Sequence, residues 1–130
     1  MRVVRAVPEL RFVLAHGGKP PIASGVLDHW REQVDELAGF PNVVCKLSGL
    51  VTEADWKRWS SDEVLYAADH LLESFGPGRL MFGSDWPVCT LAAGYQDVLS
   101  LAGFCVDGLA AAERDAVMGG VATEVYGLAG

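Results

Sequence analysis

The chain has 130 residues, 51% hydrophobic and 21% charged, a composition that excludes a disordered tail and suffices for one domain with a packed core. Its 10 Lys and Arg against 17 Asp and Glu leave a formal charge of -7 and no basic cluster, which argues against nucleic-acid binding because phosphate neutralisation needs a basic face. No apolar run approaches the ~20 residues of a membrane span and the N-terminus lacks a secretory signal's apolar core, so the expectation is a cytoplasmic chain without a membrane partner.

Residues 1–6 read as the last turn of a helix. Pro8 marks a turn, because proline fixes its own φ and disfavours helix in its predecessor. Residues 11–16 then form a short, nearly continuous apolar run ending in His16, the pattern of a parallel strand covered on both faces. The Gly-Gly-Lys-Pro-Pro stretch from Gly17 breaks it. Residues 26–38 are predicted helical, with Trp30, Val34, Leu37 and Ala38 on one buried stripe, and Gly39 and Pro41 stop that helix. Residues 42–47 are a second strand, closed by Ser48 and Gly49. A short helical turn follows at 52–56, with Trp56 and Trp59 nearby. Ser60 and Glu63 have capping-box spacing and open a helix running to Phe75, which Gly76-Pro77-Gly78 ends. Residues 80–84 are a third strand that delivers Asp85. Beyond Pro87, helices are predicted over 91–101 and 111–118, with Gly119-Gly120 interrupting before a last turn at 122–126. Strand, helix, strand, helix, strand and helices predict an α/β fold with parallel strands and right-handed crossovers.

Alternation along a strand places Phe12, Leu14 and His16 on one face, Val44, Lys46 and Ser48 on another, and Met81, Gly83 and Asp85 on a third. Each set ends in polar groups at the C-terminal end of a strand, where α/β proteins bind ligands. Asp85 is a candidate general base and acid, against the competing reading of an Asx turn or helix cap. His16 is a candidate metal ligand or carbonyl-polarising donor, against a role in capping loop carbonyls. Lys46 is costly in a covered strand unless it is paired or faces a wet cavity, so it and Ser48 are candidate substrate contacts; a lysine snorkelling to water is the alternative. Trp86, then Trp56 and Trp59, are candidate platforms for a substrate ring, against plain core positions. His29 and His70 lie in helical patterns among polar neighbours and are expected to face solvent. Cys45, Cys89 and Cys105 form no CxxC pair, and Cys45 reads as a buried structural thiol. No G-x-S-x-G elbow occurs, and Ser84 falls on the face opposite Asp85, which argues against a serine nucleophile.

Three ordered stretches, HGGKP from His16, NVVCKLSGL from Asn42 and FGPGRLMFGSDWPV from Phe75, together resemble the amidohydrolase-2 group of metal-dependent-hydrolase-like TIM barrels. Within it they are most similar to sugar lactonases of the L-fuconolactonase and L-rhamnonolactonase types. The resemblance implies the C-terminal portion, about three βα units, of a (β/α)8 barrel, with residues 1–130 a single partial domain. Such barrels typically have ~250 residues. Their first strand carries a His-x-His pair that His16, His29 and His70 do not match. The activity implied is hydrolysis of a sugar-derived lactone to its acid, with Asp85 and His16 catalytic and Lys46, Ser48 and Trp86 contacting substrate. If one divalent ion is bound, zinc foremost, His16 and Asp85 are the ligands implied. The isolated chain is expected to be inactive, since catalytic groups act as a unit, and its unpaired strand edges are expected to favour self-association. Two other readings stand: a metal-dependent decarboxylase or another ester or amide hydrolase of the superfamily, and a non-catalytic α/β fragment that self-associates.

Overall fold

The computed structural model describes residues 1–128. Three short strands, β1 (Phe12–Leu14), β2 (Val43–Leu47) and β3 (Leu80–Phe82), form a parallel sheet in that order, with Phe12 opposite Val43 and Cys45 opposite Leu80. Parallel neighbours need a crossover, and two helices supply it: α2 (Asp28–Ala38) between β1 and β2, and α3 (Ser61–Phe75) between β2 and β3. A five-residue helix, α1 (Arg2–Ala6), precedes the sheet.

The crossover helices follow their sequence patterns. In α2 the buried residues are Trp30, Val34 and Ala38, four apart and therefore on one stripe. Helix α3 opens on the expected capping box, with Ser60 Oγ accepting from the Glu63 N–H at 3.3 Å and the Glu63 carboxylate accepting from the Ser60 N–H at 3.1 Å. Its buried face, Val64, Ala67, Ala68, Leu71 and Phe75, shares one core with α2 and with Val43, Cys45, Leu47 and Leu80 of the sheet. Each large side chain removed from water there contributes ~1.5–3 kcal/mol. Arg79, just before β3, donates to the carbonyls of Ala38 at 2.8 Å, Phe40 at 2.9 Å and Val43 at 3.0 Å. It thereby ties the C-terminal end of α2 to the entry of β2 and β3.

The C-terminal third departs from the predicted helices. Val88–Leu91 is a 3-10 turn, and α4 begins only at Tyr95 and runs to Val106. The carboxylate of Asp97 accepts from the Gly94 N–H at 3.1 Å, which satisfies a free donor at the helix start. Gly119 and Gly120 do not interrupt the final helix. They lie in a π turn, Ala116–Gly120, that joins α5 (Ala111–Asp115) to α6 (Val121–Tyr126) with helical backbone throughout. Packing overrides the glycines' low propensity: Val117 is fully buried in the main core, while Val121 packs with Val44 and Met81 on the opposite sheet face. The helix thus passes around the outer edge of β3.

His29 is exposed as expected, but His70 is not. It is 8% exposed, with Nε2 3.0 Å from the Asp35 carboxylate, to which Ser74 also donates at 2.7 Å. Position 70 lies beside the buried stripe of α3, where Asp35 on α2 pairs with Nε2 and the Trp30 ring packs against the imidazole, while the buried Nδ1 has no partner among the described residues. No described helix is long and apolar enough to cross a membrane.

Candidate active site

The C-terminal ends of the three strands converge on one cavity. Beyond Leu14, β1 gives way to a tight turn, Ala15–Gly18, in which His16 (φ 53°, ψ 39°) and Gly17 (φ 57°) are left-handed. His16 therefore reaches the site by this turn and not as the third residue of a strand face, because its left-handed backbone ends the pleat on which that alternation rests. Asp85 repeats the feature after β3, with φ 57°. Apart from Lys19, these are the only non-glycine residues with positive φ among those described. Left-handed backbone costs such residues roughly 1–2 kcal/mol, and it concentrates where structure is held for function.

Several contacts hold the His16 turn. The buried Trp30 Nε1–H of α2 donates to the Gly17 carbonyl at 2.8 Å. Leu71 of α3 presses on Gly17 so closely that a Cβ there would lie 2.6 Å from its Cδ1. The same core that closes the sheet thus fixes the backbone beneath the imidazole.

The imidazole is held at one nitrogen and faces a carboxylate with the other. Nδ1 lies 2.9 Å from the Oγ of Ser48, which is buried, and Nε2 lies 3.9 Å from the Asp85 carboxylate. Gly49 (φ 65°) provides the space, since a Cβ there would stand 2.7 Å from His16 Nδ1. The Asp85 carbonyl accepts from the Cys89 N–H at 2.8 Å, but its carboxylate caps no backbone N–H among the described residues; Ser84 Oγ instead accepts from the Trp86 N–H at 3.2 Å, leaving the Asp85 carboxylate facing His16. Lys46 lies on the sheet face of Met81, and its ammonium sits 5.5 Å from the centre of the Tyr126 ring of α6, within cation–π range. His16, Lys46, Ser48, Asp85 and Tyr126 line a common cavity of about 240 Å³.

Of the residues singled out from the sequence, His16, Lys46, Ser48 and Asp85 are brought together, and Trp86 is not. Trp86 is 64% exposed and does not line the cavity. Trp56 is exposed and donates to the Thr52 carbonyl, while Trp59 packs against the core and donates to the Ala92 carbonyl at 2.8 Å. Sequence reasoning missed Tyr126, Gly49 and Gly17. A glycine directly after His16 and after Ser48 was the available signal for the last two, and none pointed to Tyr126.

Among the described residues, no group of three or more His, Cys, Asp or Glu side chains is arranged to hold a metal ion. His16 Nε2 and the Asp85 carboxylate are nonetheless the donor types of a zinc site and face each other across the cavity. They fit a divalent ion as two ligands, and the remaining ligands of a tetrahedral site do not come from this set.

Residues 1–128 match the Amidohydrolase family. The chain belongs to that family. It is 52% identical to an L-fucono-1,5-lactonase of Burkholderia multivorans, over 90% of this chain and 43% of that protein. It is 42% identical to an L-fucono-1,5-lactonase of Burkholderia ambifaria, over 78% of this chain and 34% of that protein. A crystal structure of a Burkholderia multivorans amidohydrolase with bound zinc superposes with a TM-score of 0.89 at 47% identity, covering 97% of this chain and 48% of that one. The three parallel strands and their helices are thus a part of the amidohydrolase barrel. The chain spans less than half the length of the curated relatives it matches.

Proposed function

We propose that this amidohydrolase chain carries one wall of a catalytic centre that hydrolyses a sugar-derived lactone to its acid. The observation that supports this best is the facing pair of His16 Nε2 and the Asp85 carboxylate, 3.9 Å apart, at the C-terminal ends of parallel strands and in one cavity with Lys46. Two relatives being L-fucono-1,5-lactonases supports the substrate class.

In this reading Asp85 is the general base. It takes a proton from the water that attacks the lactone carbonyl, then returns it to the alkoxide released when the ring C–O bond breaks. His16 presents Nε2 beside the carbonyl oxygen, where it acts as a hydrogen-bond donor or as a metal ligand. A divalent ion held by His16 and Asp85, zinc by preference, would polarise the carbonyl and lower the pKa of bound water. Lys46, steadied over the Tyr126 ring, binds an oxygen of the substrate from the cavity wall. Trp86 is exposed and outside the cavity lining, so it is given no substrate contact in this reading.

The chain alone is proposed to be inactive, because His16 and Asp85 supply only two ligands. It is also proposed to self-associate through β1, whose edge lacks the helix that passes around β3. Sizing chromatography tests the second point, and a concentration-independent monomer refutes it.

The decisive experiment replaces the matching segment of the Burkholderia multivorans lactonase with this chain and follows acid release from L-fucono-1,5-lactone. The chimera should turn over, and Asp85→Asn within it should lower kcat by at least about 100-fold. A folded chimera that is inactive, or one indifferent to Asp85→Asn, overturns the reading.

A further inference from the structure

The partner that the fold gives His16 is a hydroxyl, and a hydroxyl differs from the usual partners of a functional histidine. A backbone carbonyl or carboxylate only accepts, so it fixes the proton on the facing ring nitrogen; a serine both donates and accepts. His16 Nδ1 is the one hydrogen-bond partner of Ser48 Oγ among the described residues. Ser48 is 5% exposed, so whichever way its proton turns has a cost if it points away from an acceptor.

Two arrangements satisfy the 2.9 Å contact. If the ring donates from Nδ1, the serine proton is left without a protein acceptor among the described residues and depends on water in the cavity. If the serine donates to Nδ1, its proton is satisfied, the ring proton sits on Nε2, and that N–H faces the Asp85 carboxylate at 3.9 Å. The second arrangement leaves no buried donor unpaired and sets a partial positive charge toward a carboxylate. Gly49 and Gly83 keep the geometry tight: a Cβ on Gly49 would lie 2.7 Å from Nδ1, and one on Gly83 would lie 3.3 Å from the Ser48 Cβ. The ring and the serine are thus each backed by glycine backbone on one side, which limits their movement away from one another.

We propose that Ser48 is a positioning residue that sets the tautomer of His16: with the cavity free of cations it donates to Nδ1 and makes Nε2–H a donor into the cavity, and with a divalent ion on Nε2 it accepts from Nδ1–H instead. In the exchange the ring loses the Nε2 proton to solvent and takes one up at Nδ1, so the imidazole stays neutral and the hydroxyl turns by rotation alone. One histidine thus serves as oxyanion donor or as metal ligand without a change of partner. The proposal rests on the site assignment above and reinterprets Ser48 as a residue acting through His16 rather than on the substrate.

The test needs no turnover. In the 15N-labelled chimera described above, where the rest of the barrel is present, at about pH 8.5, where an ordinary imidazole is neutral, long-range 15N–1H spectra distinguish the two His16 tautomers. Without metal, Nε2–H should dominate, and Ser48→Ala should convert it to a mixture. On addition of zinc chloride the proton should appear at Nδ1, and Ser48→Ala should weaken zinc binding by about 10-fold or more. Nδ1–H as the dominant form in the metal-free chimera with Ser48 intact, or a tautomer ratio unchanged by Ser48→Ala, overturns the donor half. A His16 ring spectrum that zinc leaves untouched overturns the cation half. Because the spectra report no hydrolysis, a lactonase assay that fails while these hold refutes only the reaction and not the role of Ser48.

Discussion

At the scale of single residues, the site depends on side chains that are absent as much as on those present. Gly49 is left-handed and lies against the His16 ring, so alanine there meets both a backbone penalty and a contact of 2.7 Å with Nδ1. Gly49→Ala is expected to cost about 1–2 kcal/mol in urea unfolding and to displace the imidazole. The displacement is measurable as a change in the His16 ring resonances, larger than that of any other histidine. That Asp85 and Lys46 would meet was legible from the sequence, because polar residues at or just beyond the C-terminal ends of apolar parallel strands gather at one end of the sheet. Ser48 was legible as a site residue, but its partner was not, since the hydrogen bond joins residues 32 positions apart.

At the scale of elements, the packing that closes the sheet also aims the site. Trp30 of α2 and Leu71 of α3 reach under the Gly17 turn, so the crossover helices carry His16 as well as the core. Arg79 joins the end of α2 to the sheet through three carbonyls. Arg79→Ala strands those acceptors, partly buried, and is expected to lower stability by roughly 2–3 kcal/mol, seen as an earlier urea midpoint with unchanged slope. A loss below about 0.5 kcal/mol would show that water replaces the guanidinium. The stripes of α2 and α3 and the capping box at Ser60 were readable because helical periodicity and cap chemistry are local. The final helix was misread at Gly119-Gly120 because propensity is a weak term against the burial of Val117 and Val121.

At the scale of the whole molecule, the three cysteines are buried and free, as expected for Cys45. Burial pushes the Cys45 and Cys105 thiols from the ordinary 9.0 up to about 12. Above pH 9 the unfolded chain's thiols ionise while the buried ones stay protonated, so the folded state binds more protons and stability falls as pH rises. The contribution is fully present below pH 9 and is lost toward pH 12, at up to about 1.4 kcal/mol per pH unit for each thiol. Urea unfolding at pH 8 and pH 10 should show this loss, and a Cys45→Ala/Cys105→Ala variant should lose correspondingly less. Equal losses in the two proteins would mean that other groups govern the alkaline limit.

The sequence by itself determined the parallel three-strand α/β order, the buried stripes of its helices, and the three motifs through which membership of the amidohydrolase family was expected. Those properties are written in short-range patterns: strand and helix periodicity, cap spacing and the break at each strand end. Only the tertiary structure decided that His16 arrives through a left-handed turn, that Ser48 faces its Nδ1 and Asp85 its Nε2, that Tyr126 stands beside Lys46, and that His70 is buried on Asp35. Each of these joins side chains from separate elements. Their meeting is set by how α2, α3 and α6 pack on the sheet, and no local pattern records which polar groups that packing leaves within reach of one another.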